Sequence, residues 1–273
     1  MHKILFTILA AGSMLALSAA EIAIKNNSKV AFLGDSITQY GQRREAGYVN
    51  LVVGMLKYNK INVTPIKAGI SGHKSNQMLA RLERDVISKK ADFLFLSCGV
   101  NDVWHGVRGV PLEQYKKNIT SIVEKAQKAN IKVCIMTATM IGENNNANNQ
   151  KLAAYNEFLR QLAAEKKCLL ADTNALMQKT LAALKKQYPK AKGFLLTSDG
   201  VHMAPAGDMM MARCLLETVG VPADRIDFEK LNVRAEITLA VPIKFYNEVY
   251  SANLKRGGST RNVDQQIPLQ VKK

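Results

Sequence analysis

Five short apolar runs, "KVAFLG", "INVTPIKA", "ADFLFLSCG", "IKVCIMTAT" and "KCLLAD", alternate along the chain with longer stretches whose apolar residues recur every three or four positions. Short continuous apolar runs suit buried strands, and the wider spacing suits helices with one apolar face. The helical stretches are "GYVNLVVGMLKY", "SNQMLARLERDVIS", "LEQYKKNITSIVEKAQKA", "NNQKLAAYNEFLRQLAAEK", "NALMQKTLAALKKQ" and "APAGDMMMARCLLETVG", the last with Gly220 as a stop. Strict alternation of the two leaves a parallel sheet covered on both faces. Right-handed crossovers then bring every strand-to-helix loop to one edge. The second, third and fourth runs carry the residues best suited to burial on both faces. No internal repeat stands out.

The N-terminal segment is read separately. "MHKILFTILAAGSMLALSAA" has a basic residue at Lys3, an uncharged apolar core from Ile4 to Leu17, and small residues at Ser18 and Ala20. This is the pattern of a secretory signal cut after Ala20. The core is shorter than the ~20 residues of a membrane span, and no later segment is apolar enough to span. The expectation is an exported protein, periplasmic or extracellular, without stable membrane insertion. About 250 residues remain, enough for one α/β domain with a well-buried core. We divide the chain into a leader over 1–20, a main domain over 21–220 and an extension over 221–273. In the extension, "VRAEITLAVPIKFYNEVY" suggests a strand and a short helix, and "LKRGGSTRNVDQQIPLQVKK" a polar, partly disordered tail.

The formal net charge is +16 and falls to +15 without Lys3. Such a balance favours acidic surfaces or anionic polymers. The lysines are scattered over faces that helical spacing leaves in solvent, which argues against a nucleic-acid partner. Cys98, Cys134, Cys168 and Cys214 lie in or beside apolar patterns and never approach CxxC spacing. They read as buried thiols, neither a disulfide framework nor a metal site.

The loops at the shared edge hold the chemistry. They carry "GDS" after the first run, "GISGHKS" after the second, "GVNDVWHG" after the third, "IGENNNANNQ" after the fourth, and "SDGVHMAPAG" before the last helix. A serine attacks an ester when a base takes its proton, and imidazole is the usual base near neutral pH. Ser36 is the candidate nucleophile and His202 the base. Asp199, three residues before His202, has the spacing to hold its Nδ1 and stabilise the imidazolium. His73 and His105 are rival bases on the same edge, without an aspartate three residues upstream.

Gly34-Asp35-Ser36, Gly72 in "GISGHKS", Gly99-Val100-Asn101-Asp102 and Asp199-Gly200-Val201-His202 together resemble the four blocks of the SGNH hydrolases, the GDSL esterase and lipase superfamily. The likeness spans roughly residues 29 to 219. It implies a flavodoxin-like three-layer αβα sandwich with a five-stranded parallel sheet, no cofactor, and a Ser36–His202–Asp199 site. It also implies an oxyanion hole made by the backbone N–H groups of Ser36 and Gly72 and the side-chain amide of Asn101. Asp35 and Asp102 read as organisers of their loops through backbone hydrogen bonds.

Two competing chemistries fit less well. The phosphate-loop spacing fails because His73 separates Gly72 from Lys74. A metal phosphoesterase using Asp35, Asp199 and His202 lacks further carboxylates after the first strand, so no metal is expected. Trp104 offers a platform for a sugar ring or an anchor in the core, and His105 lies beside it. Arg43 and Arg44 meet an acidic substrate or form a solvated pair. The asparagine-rich loop either binds hydroxyls or is flexible. These cues, export and the lack of an apolar lid favour a small acyl group, acetyl, on carbohydrate. A lipolytic esterase or lysophospholipase of the same fold is the alternative, an acyl transferase a lesser one, and a non-catalytic carbohydrate-binding protein the rival from another class. The oligomeric state is not legible.

Overall fold

The computed structural model describes residues 22–231. The leader and most of the extension, including both elements expected after residue 232, lie outside the described residues.

The expected strands and helices appear in the order the pattern suggests, with two further α-helices, Ser36–Arg43 and Val100–Trp104, that it does not announce. The strands are β1 (Ser28–Gly34), β2 (Val63–Gly69), β3 (Phe93–Ser97), β4 (Lys132–Met136) and β5 (Leu169–Ala171). They form one five-stranded parallel sheet of order β2-β1-β3-β4-β5. The helices are α1 (Ser36–Arg43), α2 (Tyr48–Tyr58), α3 (Ser75–Leu82), α4 (Val100–Trp104), α5 (Leu112–Lys128), α6 (Ala147–Glu165), α7 (Thr173–Gln187) and α8 (Pro205–Thr218). Helices α2, α8 and α7 pack side by side, as do α3, α5 and α6, and the two groups cover opposite faces. The result is a three-layer αβα sandwich.

One assignment changes. "INVTPIKA" was expected among the strands buried on both faces, but among the described residues β2 is an edge strand that pairs with β1 alone, and Thr64 and Lys67 are exposed. Pro65 explains the place. It has no N–H to donate, which an edge tolerates and an interior strand does not. The interior position goes to β1, where Val30, Ala31, Phe32 and Leu33 are fully buried.

The core is built from both faces of this sheet. Phe32 stacks on Phe95 at 5.1 Å and meets the Tyr48 ring edge-on. Each such side chain contributes about 1.5–3 kcal/mol by leaving water. Val221, Ile226 and Phe228, just past α8, are buried in the same core. The four cysteines are unpaired thiols, three buried and Cys168 half-buried. Among the described residues, no helix is long and apolar enough to cross a membrane.

Candidate active site

Strand β1 ends at Gly34, and Ser36 is the first residue of α1. The sequence reading contained no helix here. What starts it is Asp35, whose carboxylate accepts the Ile37 N–H at 2.9 Å as an N-cap. A residue at the first helical position has no intrahelical partner for its N–H. The serine of the "GDS" segment therefore stands where a strand delivers it to a helix start. Burial raises the Asp35 pKa to about 6, the Ile37 bond opposes this, and the charge of Asp102 adds to it.

The loop before α8 meets Ser36 from the other side. An isolated antiparallel pairing of Thr197 with Met203 and a Ser198 N–H bond to the His202 carbonyl close it into a tight turn. His202 Nε2 lies 2.9 Å from Ser36 Oγ, and His202 Nδ1 lies 2.6 Å from Asp199 Oδ2. The other oxygen of Asp199 accepts the backbone N–H groups of Val201 and His202. Partial burial works against ionisation of Asp199, but the His202 bond and these backbone bonds outweigh it and hold its pKa below the usual carboxylate value. A hydroxyl, an imidazole and a carboxylate thus stand in series, which is the arrangement that lets a serine lose a proton.

Two residues brace this imidazole that sequence reasoning did not assign. The Tyr40 ring, one turn along α1 from Ser36, lies 4.8 Å from the His202 ring. The Arg44 guanidinium lies over the Tyr40 ring, 5.0 Å from its centroid, and donates to the Met203 carbonyl at 2.6 Å. Arg44 is therefore a brace although it is exposed like its neighbour Arg43, the last residue of α1. An aromatic four residues after a helix-start serine was the available signal.

Gly72 and Asn101, expected as oxyanion donors, lie in the segments after β2 and β3. Gly72 has φ +76°, which favours glycine, and a Cβ there would meet nothing within 4 Å. Backbone conformation, not crowding, is what requires glycine. The Gly72 loop is tied to α1 by Ser71, which donates to Gln39. Asn101, in the first turn of α4 and 4% exposed, donates its amide to the His73 carbonyl at 3.2 Å. Gly99 sets up α4 with φ +135°. Asp102 is buried beside Asn101 and accepts both the N–H and the hydroxyl of Ser75, which joins α4 to α3. Burial raises its pKa despite those bonds.

Behind this loop lies Arg81, 5% exposed. Its guanidinium donates to the carbonyls of Ala68 and Gly34 at 2.8 and 2.9 Å, to Asp85 at 3.0 Å, and to His73 Nδ1 at 3.1 Å. One side chain thereby joins the ends of β1 and β2 to the segment that aligns Asn101. Sequence reading passed over it as one basic residue on an amphipathic helix. With its Nδ1 accepting from Arg81, and its pKa lowered by partial burial and by that cation, His73 is occupied as an alternative base. His105 is likewise engaged, its Nδ1 2.9 Å from the Asn101 carbonyl oxygen. Among the described residues, His202 is the imidazole in hydrogen-bond contact with Ser36.

Trp104 is 45% exposed, so it does not anchor its loop in the core. The asparagines of the loop after β4 serve that loop itself. Asn149 donates to the carbonyls of Ile141, Gly142 and Asn144, and Asn146 caps α6. Among the described residues, no three His, Cys, Asp or Glu side chains form a group that could hold a metal ion.

Comparison with known proteins shows the family and the fold. The family that matches residues 32–209 is described as GDSL-like Lipase/Acylhydrolase. An acetylxylan esterase of Geobacillus stearothermophilus is 31% identical over 217 residues, 72% of this chain and 96% of that protein. The crystal structure of that organism's acetylxylan esterase Axe2 superposes with a TM-score of 0.64, covering 72% of this chain and 96% of its own. Structures of Axe2 described as catalytic mutants replace a serine, an aspartate or a histidine by alanine. LAE5, an alpha/beta hydrolase from the metagenome of Lake Arreo, shares the fold at 24% identity, with a TM-score of 0.64 over 74% of this chain and 99% of its own. The chain belongs to the GDSL-like lipase/acylhydrolase, or SGNH hydrolase, family and is a carboxylic ester hydrolase.

Proposed function

We propose that this protein removes acetyl groups from carbohydrate through an acyl-enzyme on Ser36. The observation that carries the proposal is the pair of contacts from His202, 2.9 Å to Ser36 Oγ and 2.6 Å to Asp199. Ser36 Oγ attacks the ester carbonyl carbon while His202 Nε2 takes the hydroxyl proton. Asp199, bonded at Nδ1, keeps the proton-accepting nitrogen turned toward Ser36 and stabilises the imidazolium. Negative charge on the former carbonyl oxygen is met by the N–H groups of Ser36 and Gly72 and the amide of Asn101. Collapse of the intermediate breaks the ester C–O bond, and His202 returns the proton to the departing sugar oxygen. Water, deprotonated by His202, then attacks the carbonyl carbon of acetyl-Ser36; the Oγ–acyl bond breaks, His202 returns the proton to Ser36 Oγ, and acetate leaves.

The substrate class rests on the acetylxylan esterase of Geobacillus stearothermophilus, which the chain covers over nearly its whole length. The exposed Trp104, on the helix that carries Asn101, suits a sugar face. Removal of a signal over 1–20, a catalytic domain over 21–220 and an extension over 221–273 belong to this same reading. Treatment with a fluorophosphonate followed by mass spectrometry should place a single adduct on Ser36. Acetate release should be fastest from acetylated xylo-oligosaccharides and short p-nitrophenyl esters. Labelling at another residue would overturn the mechanism, and preference for lysophospholipids would replace the carbohydrate with a lipid substrate.

A further inference from the structure

Glu143, in the loop after β4, is 6% exposed, and its carboxylate is surrounded by donors from one short segment. Its Oε2 accepts the Leu195 N–H at 2.5 Å. Its Oε1 accepts the Leu196 N–H at 2.7 Å, the Thr197 N–H at 2.7 Å and the Thr197 hydroxyl at 2.8 Å. Four converging donors need a group that only accepts, and an ionised carboxylate is such a group. A buried charge of this kind is tolerable because hydrogen bonds replace its lost water.

The gripped segment ends two residues before Asp199. Thr197 is also one side of the antiparallel pairing that closes the Asp199–His202 turn, and its hydroxyl accepts the Gly200 N–H at 3.1 Å. The neighbouring Gly142 N–H donates to the Gly200 carbonyl at 2.6 Å. Glu143 is itself held, since Lys185 donates to its backbone carbonyl at 2.5 Å and the Asn149 side chain bonds Ile141 and Gly142 just before it. Ser36 is delivered by β1, whereas His202 lies in the loop that joins α7 to α8, which no strand of the sheet immediately precedes. The distance between them therefore depends on where that loop is pinned.

We infer that Glu143 is a positioning residue that fixes the Asp199–His202 turn at hydrogen-bond distance from Ser36. It acts through the backbone of residues 195–197 and touches no substrate. This inference rests on the Ser36–His202–Asp199 reading proposed above. Glu143→Gln is the sharpest perturbation, because the amide N–H₂ presents donors where one carboxylate oxygen accepted.

The experiment compares full-length wild type with Glu143→Gln, Thr197→Val and Ser36→Ala on p-nitrophenyl acetate, with kcat expressed per serine titrated by fluorophosphonate. Displacement by a fraction of an ångström should lower the kcat of Glu143→Gln by about 10–100-fold, with KM changed less than about 3-fold. The downfield NMR signal of the His202 Nδ1 proton should broaden or vanish. Thr197→Val, which removes one donor to Glu143 and the acceptor for Gly200, should lose about 3–10-fold. The two effects should be less than additive when combined, as contacts within one network are. A folded Glu143→Gln protein with wild-type kcat per titrated site and an unchanged Nδ1 signal would reduce Glu143 to a stability role and overturn the inference. If Glu143→Gln does not fold, Thr197→Val at full kcat overturns it equally. Activity surviving in Ser36→Ala would defeat the serine reading itself and this inference with it. An inactive Ser36→Ala beside an unimpaired Glu143→Gln defeats the inference alone.

Discussion

Asp199→Asn tests the proposed mechanism with the least disturbance to the fold. The asparagine oxygen can still accept the Val201 and His202 N–H groups that Asp199 Oδ1 accepts now. What changes is the other position, where an N–H₂ group replaces the oxygen that lies 2.6 Å from His202 Nδ1. That nitrogen must then become an acceptor, which puts the imidazole proton on Nε2, facing Ser36. A protonated Nε2 cannot take the serine proton. Lost charge contributes as well. Two unit charges about 4 Å apart interact by about 1 kcal/mol in water and about 4 kcal/mol at an effective dielectric of 20. The Asp199 side chain is 51% exposed, so the true value falls between these limits. An electrostatic share of about 2 kcal/mol corresponds to roughly 30-fold in rate. The wrong tautomer must supply the rest of a total loss of about 10³–10⁴ in kcat. Steady-state hydrolysis of p-nitrophenyl acetate measures the total, with active sites counted by titration. Nitrogen-15 chemical shifts of His202 report the tautomer, and thermal unfolding checks the fold. A loss below about 100-fold, or a neutral imidazole still protonated at Nδ1, would refute this division of roles.

Three further outcomes are expected. Asn101→Ala should lower kcat by roughly 10²–10³, the cost of one oxyanion donor, with little change in KM; a near-normal kcat in a folded variant would remove Asn101 from the mechanism. Arg81→Met strands buried carbonyls at Gly34 and Ala68, but Arg84 still pairs with Asp85. The destabilisation should therefore lie near the low end of broken buried pairs, about 3 kcal/mol, which calorimetry should read as a Tm lower by roughly 6–12 °C. Asp208 is buried, accepts the Tyr48 N–H, and has its pKa raised by burial from 3.8 to about 7. The unfolded chain releases this proton near pH 4 and the native state holds it to about pH 7, so this group's contribution to stability is full below pH 4 and is lost as pH rises through 7. Asp208→Asn keeps an acceptor for Tyr48 and does not titrate. Its Tm relative to wild type should climb between pH 4 and 7 and level off above; a difference independent of pH would show that Asp208 ionises freely in the native state.

Much of this protein is local in origin, and that part was legible in the chain. The period of the apolar residues sets strand against helix, and alternation forces parallel pairing, because a parallel neighbour is reached only through a crossover. The same handedness rule brings the loops of Ser36, Gly72 and Asn101 to one edge, and the order of the four motifs let the Asp199–His202 loop be read with them as one site. The start of α1 escaped this logic, because a cap formed by Asp35 needs no apolar repeat to announce it. Other features depended on neighbours far away in sequence. Which run became the edge was decided by strand order, with Pro65 tolerated where no partner needs its missing donor. Arg81 and Glu143 look like ordinary surface residues in a helix and a polar loop. Their meaning comes from carbonyls and N–H groups supplied by β1, β2 and the segment before Asp199. Local propensity selects the elements, whereas hydrogen-bonding groups buried at their junctions find partners only once the layers have closed, so the braces of the site exist only in the tertiary structure.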